Sequence, residues 1–180
     1  MRITGGILAG RKINTPPGPI RPAMDKMRES VFAIIGNLEG CSFLDVFSGS
    51  GGIALEAASR GAEYIEAVEA DPIKRSIMLQ NVAISPVHIE CKFMAAELYV
   101  KRAKRPFDWI FLDPPFPYAY KQDLLQRIEK SKLVHEKTKL LIHHPREDNL
   151  LASIGKLRLY DQRKYGRSIV NFYRIGSEGL

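Results

Sequence analysis

WIFLDPPF, residues 109–116, decides which fold the sequence predicts. Its first four residues are apolar, as is typical of a strand buried inside a parallel sheet. Pro114 and Pro115 then end the strand, because proline lacks an amide hydrogen and has a fixed φ angle. The turn therefore presents a carboxylate, Asp113, and an aromatic ring, Phe116, at the carboxyl end of a strand, where open α/β sheets bind their ligands.

Strand and helix patterns alternate on both sides of this turn. Apolar runs predict strands over residues 43–47, 64–68, 87–93, 107–112 and 139–143, and helical spacing predicts helices over residues 53–60, 72–83, 95–102 and 120–130. Two further strands, 157–163 and 168–175, form a predicted hairpin. The series predicts an α/β fold with a mostly parallel seven-stranded sheet, helices on both faces and a C-terminal antiparallel hairpin.

The N-terminal residues have a different composition. Residues 1–22 are rich in glycine and proline and predict a small β-hairpin followed by an extended connector. Residues 23–180 then form one domain, which begins with a helix over residues 25–35 and uses Asp25 as its N-cap.

A glycine-rich segment, Phe47–Gly52, leaves the first strand and opens a helix. Glycines allow a ligand to approach the bare backbone, and the start of a helix offers free N–H groups. Asp45 lies just before this loop and is suited to an ammonium group or a bridging water. Glu69 ends the second strand, where a carboxylate suits two vicinal ribose hydroxyls. The pattern indicates a cofactor of the adenosine type.

Two cofactors fit this loop. Gly49, Gly51 and Ala54 satisfy the spacing of a dinucleotide-binding loop, so the loop alone leaves NAD open. The turn at 113–116 favours S-adenosylmethionine, because its acid and carbonyl oxygens can accept hydrogen bonds from an exocyclic amino group and Phe116 can stack on a base. The same turn offers nothing to hydride transfer.

Charge indicates the class of partner. The formal net charge is +7 and the pI is about 9.5, values that favour a polyanion such as nucleic acid.

Cys41 and Cys91 are isolated, which fits reduced thiols in a cytoplasmic protein, and no Cys/His spacing suggests a metal site. No apolar run reaches membrane-spanning length. A lone basic domain of this kind is expected to be a monomer.

Several motifs together resemble one family. DVFSGSGGIALEAASRGA (45–62), VEAD (68–71) and FLDPPF (111–116) resemble the Rossmann-like class I methyltransferases that use S-adenosylmethionine. The N-terminal blocks RITGG (2–6), GRK (10–12) and RPAMDKMRESVF (21–32) narrow this likeness to the RsmD-type 16S ribosomal RNA guanine-N2 methyltransferases. That family implies ribosomal RNA, or a small-subunit assembly particle, as partner.

The resemblance assigns three sets of residues. Residues that would hold the acceptor amine and base are Asp113, Pro114, Pro115 and Phe116. Residues that would bind the cofactor are Asp45, Phe47, Ser48, Gly49, Ser50, Gly51, Glu69, Ala70, Ala95 and Ala96. Residues that would contact RNA are Arg2, Arg11, Lys12, Arg21 and Arg28, although ion pairs within the helix suit Arg21 and Arg28 equally.

The chain departs from the family pattern at three places. Ala23-Met24 replaces the usual pair of threonines, Ala95 stands where an acid or amide often contacts the adenine, and His143-His144 stands where an acid is common. Two alternatives stay open at this point. One is methylation of DNA adenine or another RNA amino group, and the other is a non-catalytic RNA-binding protein with the same fold.

Overall fold

A computed structural model describes residues 1–17 and 22–177. The helices are α1 Pro22–Ile35, α2 Gly52–Ser59, α3 Arg75–Val82, α4 Ala96–Lys101 and α5 Lys121–Glu129. The strands are β1 Ser42–Val46, β2 Tyr64–Val68, β3 Ile89–Lys92, β4 Trp109–Leu112, β5 Lys139–Pro145, β6 Ser153–Ile154, β7 Leu157–Tyr165 and β8 Ser168–Ile175. A single 3-10 turn, Pro72–Lys74, precedes α3 and is capped by Asp71, whose side chain accepts from the Ile73 N–H.

The strands form one sheet in the order β3-β2-β1-β4-β5-β8-β7-β6. Strands β3, β2, β1, β4 and β5 run parallel to one another, and the pairs β5–β8, β8–β7 and β7–β6 are antiparallel. The α/β fold with a mostly parallel sheet and a C-terminal antiparallel hairpin is therefore confirmed. The strand direction reverses on the far side of β5, so the chain ends by widening one edge of the sheet.

The predicted number of strands, seven, was too low by one. The sheet has eight strands, because Ser153–Ile154 turns at Gly155 and pairs with the start of β7. A strand of two residues is too short to show alternation. Asp25 also lies in the first turn of α1 rather than at its N-cap, because the helix begins at Pro22.

Two apolar layers cover the sheet. Alternate residues of β1 face opposite sides, so that Phe43 packs with α1 and α2 while Leu44 and Val46 pack with α4 and α5. Every residue of α2 is buried, and the rings of Phe32 and Phe43 lie 5.9 Å apart. This packing fixes the carboxyl ends of β1, β2 and β4 side by side.

The N-terminal segment lies on α2. A single antiparallel bridge joins Arg2 and Lys12, which is less regular pairing than the predicted hairpin. Ile3, Leu8 and Ile13 are buried in the same core as α1 and α2. The Leu8 N–H donates to Ser59 Oγ at 2.8 Å. Within the described ranges, no helix combines the length and apolar character needed to cross a bilayer.

Candidate active site

One cleft of about 370 Å³ lies at the carboxyl ends of the parallel strands. The loop after β1, the end of β2 and the turn after β4 all contribute to its walls. The lining residues are Met1, Met24, Asp25, Met27, Arg28, Phe47, Ser48, Gly49, Ser50, Gly52, Ile53, Glu69, Lys74, Asp113, Pro114, Pro115 and Phe116. The structure thus brings the glycine-rich loop and the acid–proline–proline–aromatic turn to the same opening.

The loop after β1 has an unusual backbone. Gly49 and Gly51 have φ angles of 60° and 81°, and Phe47 reaches 64° without being glycine. A positive φ is disfavoured for every residue except glycine, because the Cβ atom clashes with the backbone. The conformation of Phe47 must therefore be held by the residues packed around it. A Cβ built on Gly49 would meet nothing within 4 Å. The space beside Gly49 is therefore open to a ligand.

Asp45 is the buried acid beneath this loop. Its Oδ2 accepts from Ser48 Oγ at 2.6 Å and from the Ala54 N–H at 3.1 Å, whereas Oδ1 is buried without a hydrogen-bond partner. Burial raises the pKa of Asp45 to about 7. Nearby Asp113 and Glu69 add to that rise. A cationic or N–H donor ligand would satisfy the orphaned oxygen and favour the carboxylate.

Glu69 joins the second strand to the loop. Its Oε2 accepts from the Gly49 N–H at 2.7 Å, and Oε1 accepts from the Asp71 N–H at 2.8 Å. Each carboxylate oxygen has a second lone pair. The carboxylate can therefore hold the loop and still accept from hydroxyl groups in the cleft.

The turn after β4 is bonded to the end of β1 and presents its aromatic ring at the cleft. The Asp113 N–H donates to the Val46 carbonyl oxygen at 3.2 Å, which keeps the acid beside the end of β1. Pro114 is buried, Pro115 is exposed and the Phe116 ring is 37% exposed at the mouth of the cleft. A half-exposed ring beside a carboxylate offers a stacking surface to a planar ligand.

Three side chains missed in the sequence hold this turn. Buried Lys121 donates to the carbonyl oxygens of Phe116 at 2.8 Å and of Tyr118 at 2.7 Å. The Tyr118 hydroxyl donates to Glu97, and its ring meets the edge of Phe47 at 5.3 Å. His143 contacts Asp113 directly. The Tyr118–Glu97 and His143–Asp113 contacts join positions 21 and 30 residues apart, so no local motif signals them. Lys121 contacts positions only three and five residues away, but a lysine at the start of a helix has no distinctive pattern.

Five of the ten predicted cofactor residues do not line the cleft, and two of these, Asp45 and Gly51, are buried at the loop itself. Ala70 follows Glu69 and is exposed, Ala95 is exposed at the N-cap of α4, and Ala96 is buried in that helix. Their contact with a cofactor stays a prediction.

The predicted RNA-contacting residues divide into two groups. Arg2, Arg11 and Lys12 are exposed on the N-terminal segment, and Arg21 lies outside the described residues. Arg28 is buried, and its guanidinium pairs with Glu56 at 3.2 Å and Asp25 at 3.3 Å. The expected ion pair within the helix is therefore present at Arg28, and contact of Arg28 with RNA stays a prediction.

The residues present fit S-adenosylmethionine. Gly49 and Glu69 line the cleft, and the orphaned Asp45 oxygen is buried beneath the loop. The open space at Gly49 and these two acids suit a ligand with an ammonium group and ribose hydroxyls. Within residues 1–17 and 22–177, no cluster of His, Cys, Asp and Glu side chains could hold a metal ion.

Comparisons with known proteins agree with this geometry. A family model described as "Conserved hypothetical protein 95" matches residues 1–174. "Putative rRNA methyltransferase YlbH" of Bacillus subtilis (strain 168) is 32% identical over 97% of this chain and 98% of its own. "Ribosomal RNA small subunit methyltransferase D" of Escherichia coli (strain K12) is 25% identical over 99% of this chain and 92% of its own.

A solved structure supports the same grouping. The structure titled "Putative methyltransferase yhhF from Escherichia coli" superposes with a TM-score of 0.87 and 25% identity, and the match covers 99% of both chains. The fold, the cleft at the carboxyl ends of the strands and the matches over nearly the whole chain agree, and the chain belongs to the Conserved hypothetical protein 95 family, the RsmD-type methyltransferases that use S-adenosylmethionine.

Proposed function

We propose that this protein transfers a methyl group to the exocyclic N2 amino group of a guanine in small-subunit ribosomal RNA. The observation that carries the proposal is the shared cleft, in which the glycine-rich loop after β1 and the turn at 113–116 face one another. The two relatives named as ribosomal RNA methyltransferases support RNA as the acceptor.

The cofactor half of the cleft would be held by the chain's own acids and backbone. The loop Ser48–Gly51 and Asp45 would hold the methionine portion, and Glu69 the ribose hydroxyls. When bound, S-adenosylmethionine supplies a methyl group already activated on a sulfonium. The protein then contributes mainly alignment, and near-attack placement can lower a barrier by about 7–11 kcal/mol.

The acceptor half supplies hydrogen-bond acceptors and a flat surface. Asp113 and the Pro114 carbonyl would accept the two N–H groups of the amine, and Phe116 would lie against the base. The nitrogen lone pair is delocalised into the ring, so bonds that favour a tetrahedral nitrogen raise its nucleophilicity. The proton lost from nitrogen would pass to Asp113 or to water, which requires no strongly basic group.

RNA would reach the cleft along the N-terminal segment. Arg2, Arg11 and Lys12 are exposed there, and Met1 of the same segment lines the cleft. We therefore assign residues 1–22 as an RNA-contacting extension of the methyltransferase domain 23–180. The target guanine must be unstacked or lie in a loop to enter. The protein acts as a monomer in the cytoplasm, on free RNA or an assembly particle.

Mass spectrometry of ribosomal RNA from cells with and without this protein tests the proposal. We expect one N2-methylguanine to disappear from the small-subunit RNA. Loss of a mark from DNA adenine or another RNA base would replace the proposed acceptor, and no lost mark in any nucleic acid would reject the enzyme.

Purified variants test the site itself. Asp113→Ala should abolish methyl transfer and leave cofactor affinity within about tenfold, because Asp113 is expected to contact the acceptor rather than the cofactor. Asp123→Ala is the control, since Asp123 pairs only with its helix neighbour Arg127 at 2.6 Å among the described ion pairs. A fully active Asp113→Ala variant would remove Asp113 from the chemistry.

A further inference from the structure

His143 lies directly behind the acceptor turn. Its Nδ1 is 2.8 Å from Asp113 Oδ1, and its ring centroid is 5.4 Å from that of Phe116 in an edge-on arrangement. The side chain of His143 is fully buried, whereas that of Asp113 is 22% exposed. One buried ring thus contacts both groups that would face the acceptor base.

The far side of the imidazole is also fixed. His143 Nε2 is 2.7 Å from Ser168 Oγ, which also lies 3.1 Å from the Tyr165 carbonyl oxygen. The tautomer with its proton on Nδ1 donates to Asp113 Oδ1 and leaves Nε2 to accept from the Ser168 hydroxyl. The ring is therefore held through both nitrogens.

The two adjacent histidines of β5, His143 and His144, have different surroundings because of the geometry of the strand. Successive side chains of β5 point to opposite faces of the sheet. His144 Nδ1 lies 2.9 Å from the Pro145 carbonyl oxygen, and the His144 side chain is buried on the other face. His144 is therefore a matched buried imidazole without the contact to Asp113.

We propose that His143 is a positioning residue for methyl transfer, which fixes the Asp113 carboxylate through Oδ1 so that Oδ2 faces the acceptor amine. The inference rests on the proposed role of Asp113. A carboxylate can rotate about its last bond, and a hydrogen bond from a buried, doubly anchored ring restricts that rotation. The Phe116 contact places the stacking ring and the carboxylate in a fixed relation.

The test compares two substitutions that separate hydrogen bonding from packing. His143→Leu keeps much of the ring's volume and loses the bond to Asp113. His143→Asn is smaller, but its amide nitrogen can occupy the position of Nδ1. The readout is the single-turnover rate at saturating S-adenosylmethionine and small-subunit RNA, together with the dissociation constant of each.

We expect His143→Leu to lower the single-turnover rate roughly 10- to 100-fold, the value of one charge-assisted hydrogen bond. Cofactor affinity should stay within about twofold, since the lost contact is on the acceptor side. His143→Asn should recover part of the rate, and His144→Leu should stay close to the unmodified protein. A Leu variant more active than the Asn variant would show a packing role and overturn the proposal, as would an equal loss in His144→Leu.

Ser168→Ala provides a second route if His143→Leu does not fold. It removes the Nε2 anchor and the contact with the Tyr165 carbonyl oxygen, and leaves the contact of Nδ1 with Asp113 in place. We expect a smaller fall in the same rate, measured at a temperature at which the variant is fully folded; an unchanged rate would overturn the proposal. Asp113→Ala separates the two levels of inference. If that variant stays active, the proposed site fails, and if it is inactive while His143→Leu is fully active, only the role of His143 fails.

Discussion

Glu69 Oε2 accepts the backbone N–H of Gly49 at 2.7 Å, so the acid that ends β2 also holds the loop that follows β1. Its Oε1 accepts the N–H of Asp71 at 2.8 Å. Both partners are donors, and a carboxylate can accept from both at once. The residue predicted to bind ribose is thus also the clamp that shapes the loop for the methionine portion.

Glu69→Gln should weaken cofactor binding more than the loss of charge alone would. A glutamine amide has one oxygen, so its NH2 group would face one of the two backbone N–H groups. We expect roughly a 10- to 100-fold loss of S-adenosylmethionine affinity by calorimetric titration. Glu63→Gln, at an exposed position, is the control. Equal affinity in the Glu69 variant would place the ribose elsewhere.

Gly49→Ala and Gly36→Ala form a matched pair. Both glycines have positive φ, 60° and 76°, and a Cβ at either would meet nothing within 4 Å. We expect each substitution to lower the free energy of unfolding by about 1–2 kcal/mol through backbone strain. Only Gly49→Ala should reduce cofactor affinity, because its methyl group would stand in the cleft. An identical cofactor affinity in the two variants would contradict the assigned cofactor position.

Asp45 should make the stability of the cofactor-free protein depend on pH. Burial raises its pKa to about 7, above its value of about 3.9 in the unfolded chain. The folded state therefore binds the proton more tightly, and this contribution to stability is lost as pH rises from about 4 to 7. Urea unfolding should show a steeper fall over this range in the unmodified protein than in Asp45→Asn.

The raised pKa of Asp45 also predicts how the affinity for S-adenosylmethionine depends on pH. A cationic ligand favours the Asp45 carboxylate, so affinity for S-adenosylmethionine should rise as pH increases through about 7. Asp45→Asn should bind more weakly and lose that rise. A pH dependence of affinity that persists in the Asn variant would assign it to another group.

The parallel strands, the glycine-rich loop after β1 and the turn after β4 could be predicted from the sequence, because each has a pattern within a short stretch of chain. Apolar runs locate β1, β2 and β4, and helical spacing from Pro72 locates the 3-10 turn and the helix that follow β2. Contacts between distant positions leave no such mark. His143 lies 30 residues from Asp113, and in the sequence it is marked only as a departure from the family pattern after the fifth predicted strand. Lys121 contacts a turn only three and five residues away, but its sequence pattern is that of an ordinary charged helix residue.

Arg11 and Lys12 changed together to Glu should weaken RNA binding. Both are exposed on the N-terminal segment, and each phosphate contact of a single strand adds about 0.7 to the slope of log affinity against log salt. We expect weaker binding and a shallower slope in filter-binding titrations. Lys130 and Lys132 changed to Glu carry the same charge difference at two exposed positions that follow α5. Equal effects of the two double variants would indicate net charge rather than a local contact.

Lys121 should control the acceptor turn through its backbone. The side chain is 4% exposed, and its Nζ is 2.7 Å from Asp148 as well as bonded to two carbonyl oxygens of the turn. Lys121→Met leaves those carbonyls without their donor, so we expect a loss of about 1–3 kcal/mol in the free energy of unfolding.

The kinetic consequence distinguishes a positioning role from simple stabilisation. Because Lys121 holds the main chain of Phe116, Lys121→Met should raise KM for RNA at a temperature where the variant is fully folded, and leave S-adenosylmethionine affinity unchanged. Lys130→Met, at an exposed site on the C-cap of the same helix, should change neither quantity. A normal KM in the folded Lys121 variant would mean that the turn keeps its shape without the lysine, and that Phe116 is ordered by its contact with His143 instead.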